Sequence, residues 1–160
     1  MKLVAIAAIS LNHVIGKDGK VPWNIPEDLR RFMRLTRGNT VLMGRKSYES
    51  LGKLLPERRN VVLSSKQIPG VETYSTIDAA LAALKNQDTV FVIGGGQIFA
   101  QILGRVDSLL LTLVEREVGG DTFFPPYEEL VKSQFVLLHE ERHEGYTYLD
   151  YERKRTKKEV

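Results

Sequence analysis

The 160-residue chain contains no cysteine, which excludes a disulfide framework, a thiolate metal site and a cysteine nucleophile. Long apolar runs are missing too. The opening MKLVAIAAIS reaches Asn12 and His13 after a stretch too short to span a membrane, and it carries no signal-peptide cleavage pattern. A buried strand is expected there, with no membrane association and the cytoplasm as compartment. The three histidines, at 13, 139 and 143, share no ligand spacing, so no metal is expected. No Ser/His/Asp set with a nucleophile elbow occurs, and hydrolase chemistry has no support. Internal repeats, low-complexity stretches and Gly/Ser linkers are all absent. The formal net charge of +3 is too small to point to a nucleic-acid partner.

What is present suits one domain with a real core: 42% of residues are hydrophobic and 27% charged. The small net charge conceals a division. Residues 17–66 hold 12 Lys or Arg against 5 Asp or Glu, while residues 67–152 hold 5 against 14. The tail from Arg153 to Val160 adds a further +4. A basic block of this kind serves either a phosphate- or carboxylate-bearing small molecule or simply a solvated surface.

Apolar, β-branched runs at Leu3–Ile9, Thr40–Met43, Asn60–Ser64, Thr89–Ile93 and Ser108–Val114 predict strands, the earlier ones covered on both faces. Gln134–Glu140 and Tyr146–Glu152 predict an antiparallel hairpin around His143–Gly145. Helices are predicted from Pro26 to a stop at Gly38, and over Lys46–Leu51, Ile77–Lys85 and Gln97–Leu103. The alternation indicates an α/β fold with a mainly parallel sheet and an antiparallel C-terminal edge. In such sheets ligands gather beyond the carboxyl ends of the strands.

Three strand ends carry suitable chemistry. Gly44-Arg45-Lys46-Ser47 opens a helix, Ser64-Ser65-Lys66 sets hydroxyls beside a cation, and Gly94-Gly95-Gly96 precedes another helix. Each alone reads as ordinary turn chemistry; together, at successive strand ends, they point to a nucleotide site. A second constellation is VPWNIPEDL, which places Asp28 at the rim of the Leu29/Phe32/Met33 stripe. Physics leaves two readings of Asp28. One is a poorly solvated carboxylate of raised pKa that binds a planar amidine-like edge; the other is a helix-dipole carboxylate facing water, which Glu27 fits better. Arg58, just before a strand, either clamps a carboxylate or is a solvated loop arginine.

The segments IAAISLNHVIG, VPWNIPEDL, VLMGRKSYESLG, LPERRNVVLSS, VFVIGGGQIF, LLLTLVE and GGDTFFP occur in an order and spacing that resembles bacterial dihydrofolate reductase over nearly the whole chain. The resemblance implies an eight-stranded, mainly parallel sheet with an antiparallel C-terminal strand and four flanking helices. It also implies an adenosine-binding subdomain over roughly residues 39–87, with NADPH as cofactor and 7,8-dihydrofolate as substrate, reduced to tetrahydrofolate for one-carbon metabolism. A monomer is expected.

By the same resemblance, Asp28 is the carboxylate that grips pterin N3 and the 2-amino group, supported by Thr112, with Trp23 completing the catalytic set. Ile6, Ala7, Leu29, Phe32, Leu51, Leu55 and Ile93 wall the pterin and benzoyl rings. Arg58 clamps the glutamate α-carboxylate, and Lys53 lies at the mouth. On the cofactor side, Ala8, Ile15 and Gly16 meet the nicotinamide. Gly44, Lys46 and Ser47 meet the pyrophosphate and adenosine. Arg45 and Ser65, with Leu63 and Ser64 beside them, meet the 2′-phosphate, and Gly94, Gly95 and Gly96 form the turn under the pyrophosphate, leading into Gln97, Ile98 and Phe99. The bond between Gly95 and Gly96 is expected to be cis. Asp121 is expected to hold the loop Lys17–Lys20 closed.

Four positions depart from the commonest bacterial pattern: Gln97 in place of Arg, Phe99 in place of Tyr, Val21 at the loop tip and Met33 near the outer substrate end. Two rival readings are weaker. A same-fold reductase of a riboflavin precursor lacks the WNIPEDL helix and the Leu55/Arg58 arm, and a non-catalytic nucleotide- or nucleic-acid-binding protein would use the basic tail.

Overall fold

In the computed structural model, which describes residues 1–155, β1 (Lys2–Ser10) runs through the middle of the molecule. Its side chains alternate between two apolar clusters: Leu3, Ala5 and Ile9 on one face, Val4 and Ile6 on the other. This period-2 division explains why the run is apolar at nearly every position. β3 (Thr40–Gly44) behaves likewise, with Leu42 in one cluster and Val41 and Met43 in the other.

β4 (Arg59–Leu63), β6 (Thr89–Gly94) and β7 (Ser108–Val114) complete the expected parallel set. The chain closes with a hairpin of β9 (Phe135–His143) and β10 (Tyr146–Arg153), joined through Glu144 and Gly145 (φ +86°). With β5 (Glu72–Tyr74) at one edge, the eight strands lie in the order β5-β4-β3-β6-β1-β7-β10-β9. β10 alone runs against the rest, pairing antiparallel with both β7 and β9. The expected eight-stranded, mainly parallel sheet with one antiparallel C-terminal strand is therefore the observed one.

Among the described residues there are five helices rather than four: α1 (Pro26–Thr36), α2 (Arg45–Leu51), α3 (Ile77–Ala83), α4 (Gly96–Ile102) and α5 (Glu128–Gln134). The unexpected α5 is seven residues long and buries none of them fully, and unlike α2, which ends on Gly52 at φ +71°, it runs straight into β9 with no stop signal to announce it. A two-stranded sheet of β2 (Val14–Gly16) and β8 (Thr122–Phe123) was likewise not foreseen. α1 has Pro26 in its first turn, and the chain leaves it through Gly38 at φ +76°. No helix among the described residues is long and apolar enough to cross a membrane. The terminal part of the basic tail, residues 156–160, lies outside the described residues.

Candidate functional site

Register brings the predicted strand ends together. Gly44 at the end of β3 pairs with Leu63 at the end of β4, and Met43 pairs with Gly94 at the end of β6. The loops that follow are in contact as well. A Cβ on Gly44 would lie 2.9 Å from Ile98 Cγ1, and one on Gly94 or Gly95 would lie 3.2 or 3.3 Å from Ser47 Oγ. Gly44, Ser47, Gly94, Gly95 and Ile98 thus form one shelf, with Arg45, Lys46 and Ser65 exposed beside it and Ser64 buried. Gly95 O accepts from Ile98 N and Phe99 N, both at 3.0 Å, so α4 starts on the glycine turn.

Two expectations change here. The cis peptide bond lies between Gly94 and Gly95, one residue earlier than expected. The Gly95–Gly96 peptide already belongs to the first turn of α4, where the helical geometry takes a trans bond. Phe99, expected among the cofactor residues, is only 2% exposed and packs against Phe124 with ring centroids 4.9 Å apart. It supports the turn from below. Gln97 is exposed, and Arg45 pairs with Glu49 at 2.8 Å.

The carboxylate lies on the other side of β1. Ala8 is the register partner of Thr112 on β7, whose next partner is Tyr148 on β10. Thr112 Oγ1 donates to Asp28 Oδ1 at 2.6 Å, tying α1 to the middle of the sheet. Asp28 is half-buried, and burial pushes its carboxyl above the usual carboxylate range, while the Thr112 hydroxyl and the Arg31 charge pull it back. That direction fits the first of the two readings of Asp28, and the second, a water-facing dipole carboxylate, describes Glu27, which is exposed.

Ile6 and Leu55 are buried in the same cluster as Val4, with Phe32 and Ile93 packed on its edge. Ala7, Ile15 and Gly16 are half-buried, as is Trp23 ahead of α1. Leu29 is 64% exposed and Leu51 and Lys53 are exposed too, so the outer part of the expected substrate wall is open to solvent. Apolar side chains left open beside a half-buried carboxylate are what a planar ligand with one polar edge requires.

The arm before β4 is fixed by Asn60, which sequence reading did not single out. Its side chain receives Leu55 N at 2.9 Å and donates to Leu55 O at 2.8 Å and Arg58 O at 3.0 Å. An Asn directly after two arginines at a strand start was the available signal. Arg58 Nε donates to Thr36 Oγ1 at 2.8 Å, and its terminal nitrogens donate to Pro56 O and Met33 O. Arg31, Tyr148 and Asp150, around Asp28, were also missed. The loop contact is as expected, Asp18 N donating to Asp121 Oδ2 at 2.9 Å.

Fold and site together define an α/β protein with a glycine shelf at the carboxyl ends of a parallel sheet and the half-buried Asp28 carboxylate across β1 from it. The model of the dihydrofolate reductase family matches residues 2–155. The chain is 47% identical over 133 residues to dihydrofolate reductase type 3 of Salmonella typhimurium, covering 81% of this chain and 82% of that one. It is 38% identical over 159 residues to the dihydrofolate reductase of Staphylococcus aureus, covering 97% and 100%. Among solved structures, dihydrofolate reductase from Enterococcus faecalis, complexed with NADP(H) and RAB-propyl, superposes with a TM-score of 0.84 at 32% identity, over 96% of this chain and 97% of that chain. The chain belongs to the dihydrofolate reductase family.

Proposed function

We propose that the chain reduces 7,8-dihydrofolate to 5,6,7,8-tetrahydrofolate with NADPH, acting as a cytoplasmic monomer that serves one-carbon metabolism. The observation that carries this reading is the Asp28–Thr112 pair. One carboxylate oxygen is held by the hydroxyl, leaving the other to accept from a planar N–H edge such as pterin N3 and its 2-amino group. Gripped this way, the ring lies against Ile6, Ala7, Phe32 and Ile93. Leu29, Leu51 and Leu55 meet the benzoyl part, Arg58 the α-carboxylate and Lys53 the mouth.

The residues present fit the cofactor. The glycine shelf offers close backbone approach, and Arg45, Lys46, Ser64 and Ser65 are donors suited to anionic phosphates. Roughly residues 39–87 act as the adenosine-binding part, with Leu63 beneath it. When bound, the reduced nicotinamide supplies the hydride that pterin C6 accepts. Ala8, Ile15 and Gly16 border that ring, and Trp23 excludes water from it. Asp28 lies on the ring edge away from N5, so it favours the protonated pterin electrostatically while a water admitted by the 17–20 loop delivers the N5 proton.

The deciding measurement is the fall in absorbance at 340 nm with NADPH and dihydrofolate. Asp28→Asn is expected to lose about 100-fold or more in hydride-transfer rate at pH 7. Asp28 titrates above the ordinary carboxylate range. Lowering the pH through that midpoint neutralises the parent carboxylate while more substrate arrives protonated, so the gap between parent and variant narrows in acid. Full activity of the variant at pH 7 would sink the assignment.

A further inference from the structure

Arg31 follows Asp28 by three positions on α1 and so shares its face. Its side chain is 13% exposed, whereas the neighbouring Arg30 is 62% exposed and pairs only with Glu27 on the helix surface. Arg31 Nη2 donates to Asp150 Oδ1 on β10 at 2.8 Å. Its guanidinium carbon lies 4.1 Å from the centroid of the Tyr148 ring. Tyr148 is in turn the register partner of Thr112, whose hydroxyl holds Asp28. A chain of contacts therefore runs from Asp28 through Thr112 and Tyr148 to Arg31, linking α1, β7 and β10, with Asp150 anchoring the cation from behind.

A half-buried ion pair is a poor device for stability alone, because both charges lose water that the pairing only partly replaces. Here its cation lies about one helical turn from the one carboxylate the reaction uses, on the same side of α1, and its charge pulls that carboxyl down. We propose that Arg31 is a positioning residue that keeps Asp28 charged and oriented, with Asp150 setting how much of the Arg31 charge reaches it. The proposal rests on the reading of the reaction given above and adds to it a residue outside the substrate and cofactor walls.

Other titratable groups face this cluster from α1, β9 and β10. Burial, and then the Asp28 charge, push the Tyr148 phenol up to about 12, so it stays neutral through the working range. A cavity of 260 Å³ opens beside Arg31, with His139, Glu141 and His143 of β9 across it. Tyr146 of β10, and Glu27 and Arg34 of α1, complete its rim. All of these are common to the parent and the variants below, so their charges cancel when variants are compared with the parent.

The test follows the Asp28 carboxyl carbon by NMR in the free protein labelled with ¹³Cγ-aspartate. Arg31→Met removes the cation and is expected to raise the Asp28 midpoint by about half to one pH unit, and Arg31→Lys to restore most of it. Asp150→Asn keeps an acceptor for Arg31 but removes the opposing charge, so it is expected to lower the midpoint. Opposite signs are the signature of charge coupling, since loosened packing would move both variants the same way. Shifts of one sign, or no shift in either variant, would overturn the proposal. If Arg31→Met does not fold, Asp150→Asn decides alone: a fall supports the coupling, and a rise or no change overturns it. The midpoint is read without ligands, so it is independent of the Asp28→Asn activity that tests the reaction itself.

Discussion

Arg58 makes four hydrogen bonds within its own chain, from Nε to Thr36 Oγ1, from its terminal nitrogens to Pro56 O and Met33 O, and more weakly from Nη2 to Met33 Sδ at 3.8 Å. A carboxylate that displaces the weak sulfur contact finds one N–H on each terminal nitrogen, the pair that it accepts bidentately. Arg58→Ala is therefore expected to raise KM for dihydrofolate about 10- to 100-fold, the worth of two charge-assisted hydrogen bonds. A dihydropterin without the glutamate tail is the control, and its KM should change by less than about 3-fold. Equal losses for both would show that the substitution merely loosens the arm. Thr36 stays bonded in the variant, because its hydroxyl donates to Phe32 O at 2.8 Å and loses only the bond it accepts. Sequence reading places an arginine here but not its bonds to Thr36 and Met33, since those acceptors lie on α1, 22 and 25 residues away.

At the scale of elements, β1, β3, β4, β6 and β7 are legible to within a residue or two, because burial on both faces gives a continuous apolar run. β9, exposed after Phe135, is legible only as one arm of a hairpin and less well at its end. β2, β5 and β8, at two or three residues, have no period to read. They are defined by what crosses them: Val14 is fully buried, and Phe124 N donates to His13 O at 2.8 Å. One of these unread strands accounts for a glycine that was read as a ligand contact. A Cβ on Gly96 would lie 2.5 Å from Phe123 O, so β8 forbids a side chain where α4 begins. Gly96→Ala is expected to cost about 1–3 kcal/mol and to lower Tm by roughly 2–4 °C per kcal/mol. Gly104→Ala, with nothing within 4 Å of the added Cβ, is the neutral comparison. A thermal melt of both separates them; equal melting would mean that β8 yields to α4 without cost. The Asp28–Thr112 bond, spanning 84 residues, is legible through the family resemblance alone, since local pattern shows only a carboxylate on a helix rim.

The charge division sharpens once the whole molecule is seen. Of the 12 cations between residues 17 and 66, five form ion pairs: Arg30, Arg31, Arg37, Arg45 and Arg59. Two of those pairs, Arg31–Asp150 and Arg59–Glu72, reach into the acidic half, so the two blocks partly neutralise each other in space. Among the described residues the unpaired cations include Lys46, Lys53 and Arg58, which border the proposed anion sites. Arg45 joins them with its charge shared with Glu49. A field built from so few exposed charges is short-ranged, because screening sets in beyond about 10 Å at 0.1 M salt. Between 0.02 and 0.3 M KCl the Kd for NADPH should therefore rise by roughly 5- to 10-fold. For NADH, which lacks the 2′-phosphate, the rise should be about 2-fold, and Arg45→Ala should bring the two slopes together. Fluorescence titration of each cofactor at the two salt concentrations measures this directly. Parallel slopes in the parent protein would mean that Arg45, Lys46 and Ser65 do not meet a 2′-phosphate, and that the basic half is a solvated surface after all.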